Sequence, residues 1–184
     1  MTTEFVHKLT ATKHRIYLPE LLKEVSKEKD RAQKVFMLRA YANRGKEYLE
    51  LIKAFTLYTF HPNYSCDLPD TVPPYKTGVY KDLGTSPATL FTAIKRMGYW
   101  AVADVNGEKR YFENFIKNQI KRESIFIQTL ESLSDQESVL LLAMVHKKVN
   151  LKTYPTIKYD LFKEAFSGWL PDPKSLAANS GGTE

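Results

Sequence analysis

Apolar residues recur along this chain at three- and four-residue steps, in segments that open on capping residues and close on Gly, Asn or Pro. Leu18, Leu21, Leu22 and Val25 form one such stripe, the spacing at which side chains share a face of an α-helix. Pro19 suits its first turn, where a missing N–H costs nothing. Asp30 followed by Gln33 predicts a capped start for a helix carrying Val35, Phe36, Leu38 and Ala42, ended by the Asn-Arg-Gly at 43–45. Residues 46–60 place Tyr48, Leu49, Leu51, Ile52, Phe55, Leu57 and Tyr58 around much of a helix, which suits a central element surrounded by others. Ser86 before Pro87 predicts a cap and first turn for a helix through Leu90, Ile94 and Met97 towards Trp100.

Further on, Phe112, Phe115, Ile116 and Ile120 predict one helix, and Phe126, Leu130 and Leu133 another, joined at residues 121–123. Ser-Asp-Gln-Glu at 134–137 is a capping box that opens the helix of Leu141, Leu142 and Val145. Pro155 and Thr156 introduce a last helix from Ile157 to Phe166, with Gly168 as its left-handed stop. Two stretches break the pattern. Residues 61–84 contain four prolines and no sustained period, and their Tyr64, Tyr75 and Tyr80 predict an ordered loop packed on the core. Asn106-Gly107, between Val102, Val105 and Tyr111, marks a turn, which fits either a short hairpin or a helix-to-helix connection; we take the connection. The expected fold class is therefore all-α: a compact single-domain bundle of about eight helices over residues 15–172, after an N-terminal segment 1–14 and before a flexible tail 173–184.

With 43% hydrophobic residues in 184, the chain can fill one substantial core. Its longest apolar run spans only residues 139–145, far short of the ~20 needed to cross a membrane. The opening Met-Thr-Thr-Glu-Phe-Val-His-Lys lacks a secretory signal. A cytoplasmic protein with no membrane partner is expected. Cys66 is alone and His7, His14, His61 and His146 are scattered, so neither a disulfide nor a structural metal is expected.

No residue set specifies a reaction. The eight glycines form no phosphate-cradling loop, and Asp67, Asp70 and Asp82 read as solvated turn-formers rather than cation ligands. Cys66 near His61 lacks an orienting third group and reads as a buried thiol beside a surface histidine. The expectation is a non-enzymatic protein without a cofactor. A net charge of +6 would favour a polyanion if concentrated on one face.

The stretch LFKEAFSGWLPDP, residues 161–173, resembles the end of the helical N-terminal DNA-binding domain of phage-type ATP-dependent DNA ligases, where a helix closes on a short Trp-Pro-Gly-Leu-Ile-Pro run. SLSDQESVLLLAMVHKKVNL and FIKNQIKRESIFIQTLESL resemble that domain's penultimate helix and the helix pair before it. RAQKVFMLRAYANRGKEYLELIKAFTLYTFHPNY resembles its opening helices. The arrangement is also similar to a family of uncharacterised small phage proteins carrying this module alone. The resemblance implies a ligase DNA-binding-domain-like fold and double-stranded DNA as partner. Two departures bear on it: Lys121, Arg122 and Glu123 replace a Thr-Gly-Asn turn, and Lys147, Lys148 and Val149 replace a second glycine-containing turn. The Lys-x-Asp-Gly nucleophile motif of ligases is absent, so the chain is not expected to seal DNA.

The candidate phosphate contacts are the cations that the resemblance places on the DNA face: Lys109, Arg110, Lys117, Lys121, Arg122, Lys147, Lys148, Lys152 and Lys158. Gathered on one surface they would bind duplex backbone with little sequence specificity. The competing readings are Lys147 and Lys148 complementing a helix dipole while the rest solvate exposed faces, a protein-interaction adaptor for phage replication or host transcription proteins, or a virion-associated protein. Trp169 and Leu170 are expected to tuck against Phe162 and Phe166, closing the domain.

Overall fold

The periodic stripes become helices wherever a cap and a buried partner accompany them. A computed structural model describes residues 3–11 and 13–168; Trp169, Leu170 and the tail at 173–184 lie outside them. The helices are α1 (Thr3–Thr10), α2 (Leu18–Lys27), α3 (Arg31–Ala42), α4 (Lys46–Phe60), α5 (Leu90–Ala93), α6 (Gln119–Glu131), α7 (Asp135–His146) and α8 (Tyr159–Ala165). Asp30 caps α3, its Oδ1 accepting from the amides of Ala32 at 2.8 Å and Gln33 at 3.2 Å. Ser134 caps α7 by accepting from the Glu137 amide at 3.4 Å.

The all-α expectation is overturned by a three-stranded antiparallel sheet of β1 (Tyr64–Cys66), β2 (Ala101–Val105) and β3 (Glu108–Tyr111), in the order β1-β2-β3. Asn106 and Gly107 connect β2 to β3 with φ of 57° and 80°, the positive pair that a two-residue hairpin requires and that Asn-Gly supplies at least cost. The Asp104 carboxylate accepts from the Gly107 amide at 2.8 Å. A lone hairpin is marginal in water, and this one gains a third strand and a core beneath it. Tyr64 pairs with Ala103, and Val102 with Tyr111; Ala101, Val102 and Val105 are buried.

Three other expectations change. Thr89, not Ser86, precedes the helix at Leu90, and after one turn it tightens into a 3-10 segment, Ile94–Tyr99. The two helices expected around residues 121–123 are one helix, α6, because the Asn118 side chain accepts from the Lys121 amide at 2.9 Å and sets the start there. Residues 112–118 are irregular, and Phe115 packs its ring against Tyr111 of β3 rather than lying on a helical stripe. Gly168 is not in the left-handed region; the positive-φ glycines among the described residues are Gly45, Gly78, Gly84 and Gly107.

The core runs through every helix of the bundle. Phe5 and Leu9 of α1 belong to the same cluster as Leu22, Leu38, Phe55, Trp100, Leu141 and Phe162. α4 occupies the centre, packing against α3, α5, α7, α8 and β1. Phe60, Phe55 and Phe162 meet with ring centroids 5.4 to 5.9 Å apart, joining α4 to α8 in aromatic contacts worth about 1 kcal/mol each beyond burial. The proline-rich stretch 61–84 is ordered by the α6–α7 junction: Lys76 and Gly78 donate their amides to Glu131 at 3.0 Å and Asp135 at 2.9 Å, and Tyr80 accepts from the Asp135 amide at 2.9 Å. No described helix is long and apolar enough to cross a membrane.

Candidate nucleic-acid interface

A cation can serve a phosphate only if its charged end reaches water and is not already consumed within the fold. By that test the nine candidates separate into two kinds. Arg122, although on α6, is only 6% exposed. Its Nε donates to the Asp67 carbonyl at 2.7 Å, its Nη1 to the Ile116 carbonyl at 2.7 Å and the Lys117 carbonyl at 3.3 Å, and its Nη2 to Asp67 Oδ2 at 3.2 Å. The guanidinium lies 4.9 Å from the Phe115 ring centre. Arg122 is thus a clamp that ties the β1 end to the segment before α6, and it is corrected from a phosphate contact to a structural one.

Lys147 receives the same correction. It ends α7 in the left-handed conformation, φ 54° and ψ 40°, and its ammonium donates to the carbonyls of Tyr58 at 2.9 Å, His61 at 2.7 Å and Tyr64 at 2.7 Å. Two of those carbonyls belong to the last turn and C-cap of α4, where the helix presents unsatisfied acceptors and partial negative charge. Burial pulls the Lys147 pKa below the ordinary lysine value, while three carbonyl dipoles favour its charged form. The sequence announces neither role, because the Lys147 carbonyls and the Asp67 carbonyl on Arg122 come from segments distant in the chain, and the Ile116 and Lys117 carbonyls reach Arg122 only because residues 112–118 are irregular.

The other seven candidates, Lys109, Arg110, Lys117, Lys121, Lys148, Lys152 and Lys158, are exposed. None forms an ion pair among the described residues. They do not share one groove. Lys117 lines an open groove of about 460 Å3 with Asp67, Tyr111, Phe112, Phe115 and Arg122. Lys148 lines a different one, on α7, with Val139, His146 and Tyr154. On β3, Lys109 stands on the same sheet face as the groove residue Tyr111, because strand side chains alternate. Lys121 lies in the first turn of α6, immediately before Arg122. Glu108 and Glu113 are exposed at the same corner, and Glu123 accepts from Gln119 at 2.7 Å.

The corner is also apolar: Tyr111 is 53% exposed, Phe112 41% and Ile120 81%. The sequence spacing places Phe112 and Ile120 on a helix stripe and Tyr111 beside the turn, and it carries no signal for the groove that Tyr111 and Phe112 line. Tyr111 and Phe115 meet at 4.5 Å between ring centres.

The remaining chemical candidates are accounted for within the fold. Burial pushes the Cys66 thiol up to about 12, leaving it without the thiolate that a nucleophile needs. His61 is buried, not on the surface, and its Nδ1 accepts from the Asn63 amide at 3.2 Å. Asp67 is engaged with Arg122, and among the described residues no group of three His, Cys, Asp or Glu is placed to hold a metal ion. No protein-family model, curated protein or solved structure matches this chain.

Proposed function

We propose that the hairpin and the start of α6 form a surface for the phosphate backbone of double-stranded DNA, in a non-enzymatic protein of phage type acting in the host-cell cytoplasm. One observation carries the reading: Lys109 on the Tyr111 face of β3, Lys117 in the adjoining groove and Lys121 in the first turn of α6 are exposed and without ion pairs among the described residues, with Arg110 exposed on the opposite face of the same strand. Such cations release counterions when they meet a duplex, and they give affinity with little sequence preference. The resemblance of residues 17–173 to the DNA-binding domain of phage-type ligases supports the same partner. Without Arg122 and Lys147, the interface is smaller than the sequence implied.

Binding of a blunt duplex is measured across a salt series for the wild-type chain, for Lys109→Ala/Lys117→Ala/Lys121→Ala together, and for Lys148→Ala/Lys152→Ala/Lys158→Ala together. The first triple variant is expected to weaken binding and to reduce the salt slope by about one for each phosphate contact removed. If only the second triple variant does so, the surface lies on the α7–α8 side instead. A wild-type chain that ignores duplex even in dilute buffer overturns the reading.

The exposed Tyr111 and Phe112, side by side at one groove, favour a second reading, an adaptor that docks a protein partner of the phage replication or host transcription machinery, since exposed aromatic surface is characteristic of interfaces.

A further inference from the structure

We infer that the groove between β3 and α6 receives an unpaired nucleobase, so that the protein prefers duplex DNA bearing a single-stranded extension over blunt duplex. The inference rests on the duplex reading and specifies the nucleic-acid structure that reading leaves open. Tyr111 and Phe112 expose ring surface at the groove, and Phe115 lies against Tyr111 with Arg122 over its ring. Aromatic surface beside cations is what single-stranded nucleic acid uses, because every base has a face that stacks. The volume of about 460 Å3 is ample for one base.

Polar groups in the groove select the same occupant. Asp67 spends Oδ2 on Arg122, and its Oδ1 accepts no hydrogen bond among the described residues. Glu113 and Lys117 line the same groove. A carboxylate repels phosphate but accepts readily from a base amino group such as that of cytosine, while an ammonium donates to ring nitrogen or carbonyl oxygen. The charge pattern therefore puts the base inside, against Asp67 and Glu113. Its flanking phosphates lie outside, towards Lys117, Lys121 and Lys109. An intact duplex cannot present a base in this way, whereas an end, gap or flap can.

The test compares the full chain binding three probes at one ionic strength: a blunt duplex, the same duplex with a short deoxycytidine extension, and the same duplex with an extension of abasic sites. The base-bearing extension is expected to tighten binding about tenfold, and the abasic one to give little of that gain although its phosphates are identical. Tyr111→Ala and Phe112→Ala should each bring the base-bearing probe towards the affinity of the blunt one. Tyr111→Phe, which keeps the stacking ring, should retain the preference, and this distinguishes stacking from misfolding. Equal affinity for all three probes overturns the inference while leaving the duplex reading intact, and it returns the exposed aromatics to a protein partner. Equal gain from the abasic and base-bearing extensions also overturns it, and failure to bind any probe overturns both readings.

Discussion

The helical side of the molecule and the hairpin corner treat their cations in opposite ways. On the α1–α4 side, several positive charges are fasteners: Arg31 of α3 pairs with Asp160 at 2.9 Å and Glu164 at 2.6 Å of α8, Lys8 pairs with Glu20, and Arg44 donates to the Leu9 and Ala11 carbonyls at 2.6 and 2.8 Å. At the hairpin corner, Arg122 alone of the candidate cations is consumed in this way, while Lys109, Arg110, Lys117 and Lys121 face water. Net charge could not reveal this division. A positive charge that satisfies backbone carbonyls is lost to a ligand, whatever its place in the sequence.

The contrast breaks most visibly at the two buried cations. Lys147→Met leaves three carbonyls without their donor and is expected to cost about 3 kcal/mol or more in urea unfolding. Arg122→Met should cost about 2 to 4 kcal/mol by the same measurement, because it orphans the Asp67 and Ile116 carbonyls. Neither variant, where folded, should change the salt slope of duplex binding; a lowered slope would restore that residue to the interface.

Glu137 sharpens the comparison from the acidic side. It is buried at the start of α7, where it accepts from Ser134 Oγ at 2.8 Å and the Leu90 amide at 2.9 Å. Burial raises its pKa above the ordinary 4.5 despite those bonds. The folded state therefore holds this proton more tightly than the unfolded one, so the associated stability is present below about 4.5 and is lost as pH rises through the folded-state value. Glu137→Gln, which can keep both contacts, should remove that part of the pH dependence, seen as a difference between the two unfolding profiles that changes only across this window.

Exposed charges should matter least to stability. Arg31→Ala removes a surface pairing and is expected to shift the unfolding midpoint only slightly, and less at high salt. Lys109→Ala, Lys117→Ala and Lys121→Ala should each fall within about 0.5 kcal/mol of wild type. A larger loss in any of the three would show that the lysine is a fastener after all.

Where the sequence was legible, the reasons are local. α2, α3, α4 and α7 follow from apolar stripes with a proline, Asp30 or Ser134 at their starts, and α4 is central because apolar residues surround it. The sheet was not legible as a whole. Its turn was written plainly in Asn106-Gly107, but β1 has only three residues inside a proline-rich stretch, too few for their alternation to be read as a strand. Phe112, Phe115 and Ile116 have helical spacing, yet the Asn118 cap delays the helix until Gln119. Of the candidate site, the exposed lysines at the corner were named from sequence. The groove beside them was not, because it exists only once β3 and the start of α6 are brought together.

Lys147 gives the fold a covalently tethered counterion. Its ammonium occupies a seat lined by three carbonyl oxygens, at the junction where α4 hands over to β1. Because the charge is carried on α7, sliding that helix along its neighbour would empty the seat, so a single side chain fixes the axial register of two central helices.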